Sequence, residues 1–261
     1  MIFRVSTMQK TFDRFDVLSF EIYIHQHPDI YNGKVETKHI NKKRLKKYAD
    51  MILAITLSFK KVQRYATYFA DFYPSSNQIT AQEALEHHVH SYLQDLSLLS
   101  NKIEVFLNTL KNDLQAEVVE SDRKGLRDFL DEVKAFSLKA FKGVKENRNP
   151  HHHQGNRFLD PDIVRSRSIQ TMIQVGSPFL SMLKEGAKEY LESEAEKSFE
   201  SAKKDWCDMA TRNEEQITEL VERIFLSIED MLYKYLEVEP VIMDKLKQGG
   251  HLREIKVRTE K

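Results

Sequence analysis

From Leu85 to Leu110 the apolar residues recur at steps of 4-3-4-3-4-3-4, as Leu85, Val89, Tyr92, Leu96, Leu99, Ile103, Phe106 and Leu110. No other feature of the chain constrains its fold as tightly. A strand repeats every two residues and would scatter these side chains over both faces; a helix lines them up in one narrow seam. A seam of heptad width is buried by packing against another helix. Thr80 and Glu83 mark the start of this one as a capping box, in which each side chain satisfies a backbone N–H left over at the helix end.

The chain supplies an antiparallel neighbour at once. Ser121 is placed to cap a helix whose inward face reads Leu126, Leu130, Val133, Phe136, Ala140 and Val144. Asn149-Pro150 stops it, because the residue before proline is pushed out of the α region. Upstream, Leu45, Ala49, Ile52, Ile55, Phe59, Val62, Ala66 and Phe69 predict one long helix ending before Pro74. Downstream, Asp160-Pro161 reads as a cap with proline at the first helical position, and Ile163, Ile169 and Ile173 form its apolar side. After a break at Gly176 and Ser177-Pro178, a long stripe follows through Leu183, Ala187, Tyr190, Ala195, Phe199, Ala202 and Trp206. Thr211 with Glu214 is either a further capping box or a charged turn inside a longer helix. Ile217, Leu220, Ile224, Ile228, Met231 and Tyr235 carry the last apolar face, and 238–261 reads as a partly ordered tail. Residues 1–40 are ambiguous. Leu18, Phe20, Ile22 and Ile24 alternate like a strand, while Phe12, Phe15, Leu18 and Ile22 fit the helix favoured here.

Only 8 glycines and 6 prolines punctuate the chain, which suits long helices and not a β-rich fold. The expected architecture is therefore all-α, an elongated antiparallel bundle of about six long helices. Its 40 basic and 40 acidic residues cancel, so any surface for nucleic acid is local and no membrane partner is indicated. The run Lys42-Lys43-Arg44-Leu45-Lys46-Lys47 is either a solvated face or a guide for RNA. A lone cysteine, Cys207, rules out an intrachain disulfide framework, and beside Trp206 it reads as a small apolar residue. No apolar run leads from the N-terminus or approaches the about 20 residues that span a bilayer, so a cytoplasmic protein is expected.

One segment stands apart chemically. In Glu146-Asn147-Arg148-Asn149-Pro150-His151-His152-His153, an arginine, an amide and three imidazoles gather where a helix breaks. Extending the apolar stripe from Val144 by one turn reaches Arg148, whose planar fork of donors suits a phosphate. A histidine that titrates near neutral pH can give or take a proton, and the two together suffice for metal-free phosphodiester cleavage.

Arg148-Asn149 followed by His153 resembles the motif of HEPN domains, helical bundles many of which are metal-independent ribonucleases acting as dimers with two motifs across a shared cleft. The resemblance covers about residues 80–175 and reads 41–175 as the bundle, 176–237 as a helical hairpin on or beyond it, and 238–261 as the tail. It implies that Arg148 holds the scissile phosphate and that His153 acts on the ribose 2′-hydroxyl or the leaving oxygen. Asn149 then orients the backbone or the substrate, and His151, His152 and Arg157 are the expected substrate contacts. RNA or a nucleotide is the implied ligand, with a homodimer, a toxin or phage-defence role and no cofactor.

Blander readings stand beside this one. Arg148 can cap the last carbonyls of its helix, and the histidines can be a solvated loop. A histidine-rich metal site would draw on His87, His88 and His90 as well, yet the heptad register puts His87 and His90 on the outer face and His88 beside the seam. No E-x-x-H or paired-cysteine motif is present, so no metal is expected. The long charged faces and seams also suit a non-catalytic helical interaction protein.

Overall fold

The computed structural model describes residues 14–31, 40–74, 79–143, 160–175, 182 and 184–241. These residues are all-α, in seven α-helices with one 3-10 turn at Pro28–Ile30. In chain order the helices are α1 (Arg14–Gln26), α2 (Lys42–Val62), α3 (Tyr65–Asp71), α4 (Ala81–Glu117), α5 (Glu120–Ala140), α6 (Pro161–Gln174) and α7 (Ala187–Leu236). At 1.5 Å per residue the 37 residues of α4 run about 55 Å and the 50 residues of α7 about 75 Å.

The chain divides into two compact units. One comprises Met1–Thr56, Thr109–Val133 and Glu219–Lys261. In it, α1 is helical as expected, with Phe15, Leu18 and Ile22 buried. Phe15 packs on Phe225 of α7 with ring centroids 4.4 Å apart, and its backbone N–H donates to Glu222 at 3.0 Å. Asp113 of α4 accepts the Tyr48 hydroxyl at 2.9 Å and the Lys47 ammonium at 2.5 Å. Arg44 lies 4.2 Å over the Tyr235 ring, donates to that residue's carbonyl at 2.8 Å and pairs with Glu117. Two of the five cations in the 42–47 run thus serve as internal ties, whereas Lys42, Lys43 and Lys46 are exposed.

The other unit comprises Leu57–Asn108 and Lys134–Thr218. Its core is the α4 seam: Leu85, Val89, Tyr92, Leu96, Leu99, Ile103 and Phe106 are each at most 1% exposed. Leu110, the eighth seam residue, is equally buried in the first unit. Each such side chain contributes about 1.5–3 kcal/mol by leaving water. The capping box forms as expected. Thr80 N–H donates to Glu83 at 2.9 Å and Glu83 N–H to the Thr80 hydroxyl at 3.2 Å. These bonds hold the Glu83 carboxyl below its usual range.

Three sequence expectations need correction, and one open alternative is decided. The helix expected to run to Pro74 breaks at Gln63 and Arg64, where the ladder tightens to a 3.2 Å bond from Arg64 N–H to the Lys61 carbonyl. The residues flanking the break, Lys61 and Tyr65, both bond the buried Asp95. Ser121 does not cap α5, which already includes Glu120, and its hydroxyl donates to Asp122. Of the two readings of Thr211 with Glu214, the charged turn of a longer helix holds, because Thr211 lies inside α7 and donates to the Cys207 carbonyl at 3.0 Å. Tyr190 is 63% exposed and leaves the stripe that Ala195, Phe199, Ala202 and Trp206 carry.

Candidate functional site

Arg148, Asn149, His151, His152, His153 and Arg157 all lie in 144–159, outside the described residues. Both ends that carry this segment belong to the second unit and are described. The N-terminal end is the last part of α5, from Lys134 on, and the buried face of α5 differs from the one expected. Leu130, Val133, Ser137 and Phe141 are buried, while Phe136 is 44% exposed and Ala140 is exposed. At about 100° per residue the four buried positions fall within about 80° of one another, and Phe136 lies about 120° from Leu130. Two successive steps of three carried the expected stripe off the face. Lys134 ties this end of α5 to α4, bonding Glu104 at 3.0 Å and Asn108 at 3.1 Å.

The C-terminal end is held at Asp160. One carboxylate oxygen accepts from the N–H groups of Asp162 at 2.9 Å and Ile163 at 3.2 Å, which closes the start of α6 as the sequence predicts. The other oxygen accepts the indole N–H of buried Trp206 on α7 at 2.9 Å. This second bond spans 46 residues and has no local sequence signature. One turn further on, buried Ser166 accepts from the Gln82 amide of α4 at 3.0 Å. Arg165 pairs with Glu194 and Arg167 with Glu86, at 2.9 and 2.8 Å. Beside this anchor an open groove of about 520 Å³ runs along α6, lined by Ile163, Val164, Arg167, Thr171 and Met172 with Glu86 of α4 at its edge.

The histidines of α4 do not converge. His87 is exposed, and His88 lies among Tyr68, Phe69, Phe72 and Tyr73 and bonds the Phe72 carbonyl at 2.8 Å. Among the described residues no group of three His, Cys, Asp or Glu is arranged to hold a metal ion. Cys207 is half-buried, with its sulfur 3.6 Å from the Ala66 carbonyl. Asp95 accepts the Tyr65 hydroxyl at 2.5 Å and the Lys61 ammonium at 2.9 Å, and burial together with Asp95 pushes the Tyr65 phenol far above its ordinary range. Buried Tyr92 is pushed up to about 12 by burial and accepts from the Asn213 amide at 3.0 Å.

No helix among the described residues is long and apolar enough to cross a membrane. No family model matches the chain, and no curated protein or solved structure matches it either.

Proposed function

We propose that this chain is a HEPN-like protein that cleaves RNA, or binds nucleotides, through Arg148, Asn149 and His153. The supporting observation is that 144–159 joins the C-terminal part of α5, from Lys134 on, to α6 within one unit, each tied to α4 by its own side chains. A segment held at both ends pays less entropy to place its side chains around a ligand than a free tail does. Arg148 grips a phosphate oxygen pair, and Asn149 orients the backbone or the substrate. His153 moves the proton: the 2′-hydroxyl loses it and attacks phosphorus, the bond to the 5′-oxygen breaks, and that oxygen leaves protonated. The products are a 2′,3′-cyclic phosphate and a 5′-hydroxyl. His151, His152 and Arg157 contact the flanking phosphates, and a second copy of the chain completes the assembly implied by the resemblance.

The test is cleavage of an end-labelled single-stranded RNA, with chelator present, by the wild type, Arg148→Ala and His153→Ala. Each variant is expected to be at least about a hundredfold slower. The same strand with 2′-deoxyribose throughout should stay intact. Equal rates from all three proteins, or cleavage of the deoxy strand, would refute the catalytic reading.

A second reading, a non-catalytic interaction protein, is favoured by Leu98 and Val105, which are 42% and 56% exposed one heptad apart on α4. Retention of a monomeric mass by wild-type protein across a wide concentration range, with no partner recovered, would count against it.

A further inference from the structure

Helix α7 ends in a turn that its residue resists. Glu237 stands at φ 55°, the left-handed region where glycine is usual. Its N–H donates to the Lys234 carbonyl at 3.3 Å and the Val238 N–H reaches the Tyr233 carbonyl at 3.1 Å, the paired bonds of a Schellman stop. The turn leaves Val238 buried and brings 239–241 to α1. There Glu21, fully buried, accepts the Val241 N–H at 3.1 Å. His25, 4% exposed, bonds the Glu239 carbonyl through Nε2 at 2.8 Å.

Because a carbonyl only accepts, Nε2 of His25 carries the proton and Nδ1 is bare. Nδ1 is buried and accepts no hydrogen bond among the described residues. A second proton would therefore create a buried cation whose new N–H has no acceptor. Burial accordingly holds this imidazole below its ordinary range, offset only in part by the Glu239 carbonyl and carboxylate. The other titratable groups on the elements that meet here are these. Glu21 lies one turn back on α1, Glu237 and Glu239 flank the turn, and Glu229 and Tyr233 are buried on the stretch of α7 beyond Glu222, which itself binds the start of α1.

We propose that residues 237–241 form a strap latched to α1 by Glu21 and His25, and that uptake of a proton by His25 releases it. The sign follows from linkage. With the strap lifted, the imidazole meets water and regains its ordinary value of 6.5, so the lifted state binds the proton more readily than the latched one. The latch is therefore at full strength above that value and weakens as pH falls below it, by at most about tenfold in the opening equilibrium per pH unit for one proton. The strained turn at Glu237 gives the strap a base from which to lift, and its two bonds to α1 use backbone groups of the strap alone.

Hydrogen exchange read by mass spectrometry on the full chain tests this. After correction for the intrinsic pH dependence, amides of 237–241 should exchange several-fold faster at pH 5.5 than at pH 7.4, while those of the α4 seam keep their protection. In His25→Gln, whose amide donates where Nε2 does and takes up no proton, the difference should vanish. A flat profile for 237–241 in the wild type, an equal rise in α4, or an undiminished rise in His25→Gln would each overturn the proposal. The wild-type comparison decides the first two without any variant.

Discussion

Asp160 is the residue on which the anchoring of 144–159 to the second unit turns, and its two oxygens allow a dissected test. One oxygen closes the first turn of α6 and the other accepts the indole N–H of Trp206. Losing an N-cap costs about 1 kcal/mol. Removing the acceptor from an indole that is 4% exposed costs a further 1–3 kcal/mol or so. Asp160→Ala should therefore destabilise by about 2–4 kcal/mol, or about 4–16 °C in Tm for a chain of this size. Asp160→Asn separates the contributions. Asparagine keeps one acceptor for the cap but turns an NH2 toward the indole donor, so about 1–3 kcal/mol should be lost with the cap retained. In a Trp206→Phe background the clash has no donor to act on, and the asparagine penalty should disappear. Urea unfolding followed by far-ultraviolet circular dichroism gives all four stabilities of that cycle. An Asp160→Asn loss below about 0.5 kcal/mol, or one that persists undiminished beside phenylalanine, would refute the two-oxygen account.

Two further outcomes are expected from the same measurement. Glu237→Gly relieves the left-handed residue and should raise stability by about 0.5–1 kcal/mol net, after the extra freedom of glycine in the unfolded chain is counted; a loss would show that the Glu237 side chain itself holds the turn. Leu99→Ala should cost about 2–5 kcal/mol while its neighbour Leu98→Ala changes stability by no more than about 0.5 kcal/mol, and equal effects would refute the seam register.

The helices were legible where side-chain period alone decides the outcome. Leu85 to Leu110 repeat with one spacing, Thr80 and Glu83 mark the start within four residues, and Asp160-Pro161 carries its own cap chemistry; all of these are local. The misreadings arose where tertiary contacts choose between local options. Lys61 and Tyr65 would fit an unbroken helix equally well, and nothing near them in sequence announces Asp95, 30 residues from Tyr65. Ser137 reads as an outward residue by polarity yet is buried, whereas Phe136 reads inward and is exposed. Apolar character is a weak guide to facing when one step of three or four decides the register. The second bond of Asp160 and the strap at Glu21 and His25 were illegible for a different reason. Each joins positions more than 40 residues apart through a polar atom, and no periodicity encodes such a pairing.

The polar groups inside the two units also bear on where chemistry can sit. Asp95 is occupied by Lys61 and Tyr65, Asp113 by Lys47 and Tyr48, Gln82 by Ser166, and Asp160 by the N–H groups of Asp162 and Ile163 and by Trp206. Burial and the neighbouring carboxylate drive the phenols of Tyr48 and Tyr65 far above their ordinary range, so both remain donors around neutral pH. Phenols held in that way lock helices together and do not exchange protons near neutrality. Imidazoles do. Of the ten histidines in the chain, His25 is tied to the strap, His88 is set among aromatic rings, and three stand consecutively at 151–153 beside Arg148. The proposed function assigns proton transfer to His153 of that consecutive run. On the proposed reading of 144–159, the ties at Lys134, Asp160 and Ser166 bear on activity as well as on stability: the proposal predicts that Asp160→Asn slows RNA cleavage even where the fold survives, because it loosens the anchor while leaving Arg148 and His153 in the chain.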